Sequence, residues 1–308
     1  MPAPALPPSI DPVAARRWAL RQPAPASPWL HDEVARRMAE RLEVIRLPVQ
    51  RWADWEPDNG GQQGHAQVAA HYPGASCVRV SALAPGTQEA KDAGKWWQRF
   101  RLRRQDDPVV AAPPEGSVQL VWANMLAHQV ADPGALLAAW HHALAVDGFV
   151  MFSCLGPDTL KELRALYARL GWPPPAQAFT DMHDWGDQLI AAGFAEPVMD
   201  METVTLTFET PERLLTELRG LGRNLHGERF AGLRTPAWRE RLLQAMDDGL
   251  RPAAGAQTGK PALPLSFELI YGHALKPAAR HAVASETAMP LQDMRSSLKK
   301  SIGNFPPV

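Results

Sequence analysis

Between about residue 50 and residue 156 the chain alternates short apolar runs with helix-like segments, and this alternation restricts the fold more than any other feature. "WADW", "SCVRVSAL", "GSVQLVWAN" and "GFVMFSCLG" are apolar runs of strand length. Between them "HAQVAAHYPGA" reads as a helix stopped by Pro73-Gly74. "DPGALLAAWHHALAVDG" reads as a helix with Asp132 at its N-cap, Pro133 in its first turn and Gly148 at its end. Continuous apolar strands separated by helices are buried on both faces and pair in parallel, since a parallel neighbour is reached through a crossover helix. The pattern predicts an α/β fold with a doubly wound, mostly parallel sheet.

The flanking segments extend this domain. "WLHDEVARRMAERLEVIRL" carries Leu30, Val34, Met38, Leu42 and Ile45 at helical spacing, one apolar face of a helix. Further on, "DTLKELRALYARLG" and "DMHDWGDQLIAAGF" are helical, and "PVMDMETVTLTF" and "PLSFELIYGHAL" are strands. Residues 209–262, between those two strands, read as a helical insertion placed to form a lid over the strand carboxyl ends, where open α/β sheets bind ligands. The proline-rich residues 1–28 are expected to be irregular, residues 29–277 to form the α/β domain, and residues 278–308 to be an appended tail.

Composition narrows the function. The net charge of −1 gives no overall attraction to nucleic acid or anionic lipid. Cys77 and Cys154 each lie in an apolar run and read as buried thiols, not a disulfide framework. No apolar stretch approaches the ~20 residues that cross a bilayer. The start "MPAPALPPSIDP" lacks a basic region followed by an apolar run, so a cytoplasmic location is expected. There is no C-x-x-C, H-E-x-x-H or G-x-S-x-G, and no metal site is expected. His141 and His142 are adjacent on a helix and diverge. His128 stands near the expected cleft without an evident partner.

Several longer phrases carry a resemblance: "EVARRM" at 33–38, "LVWANMLAHQVADPGALLAAW" at 120–140, "FSCLGPDTLKELR" at 152–164, "DMHDWGDQLIAAGFAEPVMDMETVTLTF" at 181–208, "LRGLG" at 218–222 and "YGHALKP" at 271–277. In these the chain, from about residue 16 to 277, resembles the class I S-adenosylmethionine (SAM) methyltransferases. Within them it resembles the malonyl-acyl-carrier-protein O-methyltransferases of biotin synthesis. The resemblance implies a seven-stranded Rossmann-like sheet with a helical lid, SAM as cofactor, and a carrier-bound malonyl carboxyl group as substrate.

It also implies which residues meet the cofactor, and there the chain departs from the family. The first strand should end in an acid and three alternating glycines; here "WADWEPDNG" gives Asp54, then Glu56, Asp58 and Gly60. The acid at the tip of the second strand, which would bind both ribose hydroxyls, is Ser81. No acid matches the one expected before the fourth strand to reach the adenine amine. After that strand Asn124 is kept, and the family's Gln-Trp pair reads His128-Gln129. Asp54, Gly60, Ser81 and Asn124 are therefore the candidate cofactor contacts. Side chains at Glu56 and Asp58 are expected to crowd a ligand that needs close backbone approach, and their charges to repel its carboxylate. The plain alternative for residues 56–59 is a surface turn.

Methyl transfer to a carboxylate needs no general base, because the nucleophile is ionised at neutral pH. It needs positioning, desolvation and a cation for the substrate. Arg219 and Arg223 in the lid segment are the candidate fork for a substrate carboxylate, set against the simpler reading of solvated helix arginines. The family's own lid arginine falls at Ala178. The stretch from Lys91 to Arg104 carries six basic residues and one acid, with Trp96, Trp97 and Phe100 interleaved. It suits an acidic acyl carrier protein better than nucleic acid, with a solvated segment as the structural alternative. Two functions remain open from sequence: a SAM-dependent O-methyltransferase, and a SAM-free methyltransferase-like protein that binds a carrier or regulator.

Overall fold

A computed structural model of the chain describes residues 9–21, 27–84, 107–252 and 261–278. Residues 91–104, the basic stretch, and 279–308 of the tail lie outside these. Seven strands form one sheet in the order β3-β2-β1-β4-β5-β7-β6. They are β1 (Arg51–Trp55), β2 (Ser76–Val80), β3 (Val109–Val110), β4 (Val118–Ala123), β5 (Leu144–Leu155), β6 (Ala195–Phe208) and β7 (Leu263–Leu275). The pairs among β1 to β5 are parallel. β7 is antiparallel to both β5 and β6, which makes it the single reversed strand.

The helices are α1 (Pro12–Ala19), α2 (Trp29–Glu40), α3 (Pro57–Gly60), α4 (Gln62–His71), α5 (Pro133–Ala143), α6 (Lys161–Arg169), α7 (Met182–Ala191), α8 (Pro211–Leu221) and α9 (Pro236–Leu250). They cover both faces. On one face Val34 and Met38 of α2, and Leu42 in the 3-10 turn that follows it, pack with Trp52, Leu120 and Trp122 of the central strands, together with α6, α8 and α9 residues. On the other, Leu137 and Trp140 of α5 and Trp185 and Leu189 of α7 pack against Ala53, Val121, Val150 and Phe152. The alternation of neighbours 52 and 53 between faces is the two-residue period of a strand. Burying side chains of this size stabilises the fold by roughly 1.5–3 kcal/mol each.

Three local features differ from the sequence expectation. Residues 1–28, expected to be irregular, contain α1, capped by Asp11, whose carboxylate accepts from the backbone of Val13 and Ala14, with proline in the first turn. The helix expected to run to Gly148 ends at Ala143. Val118 already pairs with Leu144, and a bulge follows before Leu120 pairs with Phe149. The loop after β1, read from sequence as a departed cofactor loop or a surface turn, contains the short helix α3. Among the described residues no helix is long and apolar enough to cross a membrane.

Candidate cofactor and substrate site

The carboxyl ends of β1, β2 and β4 meet at the point where the strand order reverses, the usual ligand position in a doubly wound sheet. Glu56 leaves β1 in the left-handed region, with φ 51° and ψ 49°. A non-glycine residue there is strained by an amount that the surroundings must offset. Its surroundings do so through hydrogen bonds to β2. Its backbone N–H donates to Val80 O at 2.8 Å. Its carboxylate accepts from Ala82 N at 2.6 Å and from Ser81 Oγ at 3.4 Å. The carboxylate that is missing at position 81 is thus supplied at the same strand tip by a side chain from the neighbouring loop.

Asp58 is likewise turned aside. Its carboxylate pairs with the Arg79 guanidinium at 2.8 Å, joining α3 to β2. The repulsion expected from the sequence is therefore offset by a cation 21 positions later in the chain. Gly60 is needed for packing: an added Cβ would lie 2.5 Å from the Asn124 carbonyl oxygen. Gly61, with φ 111°, turns the chain into α4.

Of the four residues nominated from sequence, Gly60 and Asn124 are brought into contact. Asn124 Nδ2 donates to Gly60 O and, at 2.9 Å, to His31 O, while its Oδ1 accepts from Ser153 Oγ at 2.7 Å. Asp54 is buried beneath the loop and accepts from His65 Nδ1 at 2.8 Å. Burial lifts its carboxyl above the ordinary range, with His65 opposing. Ser81 is buried beside Glu56. Asp54, Gly60 and Asn124 thus build the loop, and Ser81 with Glu56 forms the polar tip.

Two further histidines belong here. His31 Nδ1 donates to Asn59 O at 3.0 Å, leaving its buried Nε2 as an unpaired acceptor. His128 Nε2 accepts from the Gln129 side-chain amide at 3.2 Å, leaving Nδ1 as an unpaired donor. Burial holds both neutral, His31 pushed down to about 4 and His128 to about 3. Buried polar atoms without partners are uncommon and call for a ligand or solvent. A returned carboxylate, a neutralised Asp58 and an orphaned donor and acceptor give the site groups that suit a nucleoside bearing an amino acid. His65, Cys77 and Asp107 also bring potential ligand atoms within 4.8 Å of one another. Burial pushes the Cys77 thiol far up, and His65 is already held between Asp54 and Asp107.

Beside this site is a cavity of about 220 Å³ between the β4 and β5 ends and α8, lined by Leu160, Leu163, Leu215, Leu218, Phe179 and Phe267 with His128, Gln177, Arg219 and Arg223. Its wall explains the "GPDTLKELR" phrase. Gly156 lets Glu268 of β7 lie against the turn, where a Cβ would be 2.7 Å from Glu268 Cδ. Glu268 accepts from Asp158 N at 2.6 Å. Arg164 donates to Pro157 O at 2.8 Å and Gln177 O at 2.9 Å, carrying the segment that lines the cavity. The two arginines nominated as a fork do reach one place: both line this cavity and both are exposed.

No family model matches the chain. Among characterised sequences it is 39% identical over 261 residues to the malonyl-[acyl-carrier protein] O-methyltransferase of Gallionella capsiferriformans, covering 83% of this chain and 87% of that protein. It is 38% identical over 262 residues to the enzyme of the same name from Laribacter hongkongensis, covering 82% and 84%. Among solved structures it resembles the YcgJ protein from Bacillus subtilis, at 12% identity and a TM-score of 0.47 over 80% of this chain and 99% of that one, too loose a likeness to argue from. The sheet order, the turn built on "GPDTLKELR" and this identity over most of both sequences lead to one conclusion: the chain belongs to the malonyl-[acyl-carrier protein] O-methyltransferase family.

Proposed function

We propose that this chain transfers a methyl group from SAM to the free carboxyl of a malonyl group borne by an acyl carrier protein, a step of biotin synthesis. The observation that carries the reading is the 39% identity, over 83% of the chain, to a protein of that name. SAM when bound supplies the electrophilic methyl group. Glu56 and Ser81 would hold the ribose hydroxyls at the β2 tip, and His31 and His128 would meet the amino-acid end. Arg79 keeps Asp58 from repelling that end.

The chain's work on the substrate is positional. A carboxylate is already a nucleophile at neutral pH, so no base is required. Arg219 and Arg223 would attract its charge, and the leucine and phenylalanine walls would remove water from it. An acyl carrier protein is the partner this implies, with the basic residues between Lys91 and Arg104 as its docking stretch. A SAM-free role is less well supported, since the two acidic side chains that argued for it in the sequence are drawn to β2. The test is incubation of the purified chain with SAM and malonyl-acyl carrier protein, with the methyl ester read by mass spectrometry. Absence of ester, when the Gallionella capsiferriformans enzyme run in parallel produces it, would overturn the reading.

A further inference from the structure

The N-terminal segment is attached to the substrate cavity at several points. Ile10 bridges to His226, and Asp11 N donates to Leu225 O at 2.8 Å while Gly227 N donates to Ser9 O at 2.9 Å. Asp11 pairs with Arg229 at 2.8 Å, and Ser9 Oγ accepts from Ala178 N at 2.9 Å. At the far end of α1, Trp18 Nε1 donates to Gln129 Oε1, a cavity residue. Two guanidinium groups lie over the Trp18 ring, Arg21 at 5.2 Å and Arg223 at 5.5 Å from its centroid. Arg219 is close enough for its charge, with that of Arg21, to act on Arg223. None of the three arginines has a carboxylate partner among the described residues. The Arg223 guanidinium also donates to the Arg219 and Gly222 carbonyls, and three cations without a carboxylate partner among the described residues repel one another unless an anion joins them.

We propose that Arg21 and Arg223, which lie over the Trp18 ring, form with Arg219 a subsite for an oxyanion carried by the acyl thioester substrate, and that α1 is therefore a wall of the substrate site. This deepens the functional reading above and rests on it for the thioester. The oxyanion is either the acyl carboxylate or the phosphate of the carrier's pantetheine arm. The apolar cavity beside Arg219 and Arg223 suits the uncharged stretch of such a substrate, and Trp18 holds the guanidinium groups of Arg21 and Arg223 by cation–π attraction.

The test is calorimetric titration of the full chain with malonyl-pantetheine, acetyl-phosphopantetheine and acetyl-pantetheine, which carry a carboxylate, a phosphate and neither. The wild-type protein should bind one of the two anionic probes, which identifies the source of the oxyanion, and bind the uncharged probe more weakly. Arg21→Glu should weaken the preferred anionic probe at least tenfold and leave acetyl-pantetheine unchanged, and Arg21→Lys should recover part of the loss. If the wild type binds no probe, the thioester reading fails and the subsite with it. If the wild type prefers an anionic probe and Arg21→Glu binds it equally well, the subsite is refuted while the thioester reading stands. A thermal melt of each variant guards against misfolding, and should Arg21→Glu not fold, Arg21→Gln is read by the same criteria.

Discussion

The Glu56 carboxylate can be tested by removing its charge while keeping its shape. In Glu56→Gln the backbone stays in the left-handed region, and the amide can still accept from Ala82 N, now 2.6 Å from the carboxylate. What is lost is charge-assisted acceptance toward a ribose hydroxyl. A hydrogen bond to a charged group contributes about 1.5–3 kcal/mol, which corresponds to about 10- to 150-fold in Kd. Calorimetric titration with S-adenosylhomocysteine should therefore show that loss for Glu56→Gln relative to wild type. A ribose-deoxy analogue should bind both proteins with nearly equal affinity. Glu56→Gly should have the same weak affinity and no gain in melting temperature, because the relief of about 1 kcal/mol from φ 51° is offset by the lost acceptance from Ala82 N and Ser81 Oγ. If either variant binds S-adenosylhomocysteine more tightly than wild type, the carboxylate obstructs the ligand and the reasoning is wrong.

Arg79→Ala should weaken S-adenosylhomocysteine binding by exposing the Asp58 charge, and Asp58→Asn in the same chain should restore it; no recovery would show that Arg79 acts otherwise. Gly60→Ala should cost about 1–3 kcal/mol in denaturant unfolding, since its Cβ would press on the Asn124 carbonyl at 2.5 Å; an unchanged midpoint would contradict the close packing there. His31 and His128 have ordinary values of 6.5 and folded values of about 4 and about 3. The unfolded chain takes up protons first, so their contribution is full above pH 6.5 and is lost as pH falls toward 4 and 3, by up to about 1.4 kcal/mol per pH unit for each group. Unfolding free energies measured across that range should fall on acidification, less steeply in His128→Gln, and equal slopes would refute the assignment.

The strands and their parallel pairing were legible because apolar runs separated by capped helices leave few other arrangements. β3 was not, because Val109 and Val110 form only a two-residue edge. α1 was obscured by the prolines around it, although Asp11-Pro12 is the same cap that marks Asp132-Pro133. The loop after β1 was misjudged in one respect. Its missing glycines are visible in the sequence, but where Glu56 and Asp58 turn depends on Arg79 of β2 and on Ala82 just beyond that strand. Trp18 and Arg21 could not be assigned to a site from sequence, since nothing local joins them to residues 219–223.

The central claim is that a loop carrying Glu56 and Asp58 still holds the family's cofactor. Titration of the unaltered protein with S-adenosylhomocysteine tests it most directly. The account predicts saturable one-to-one binding with Kd on the order of micromolar, about 8 kcal/mol. A flat trace with the ligand at millimolar concentration would contradict it.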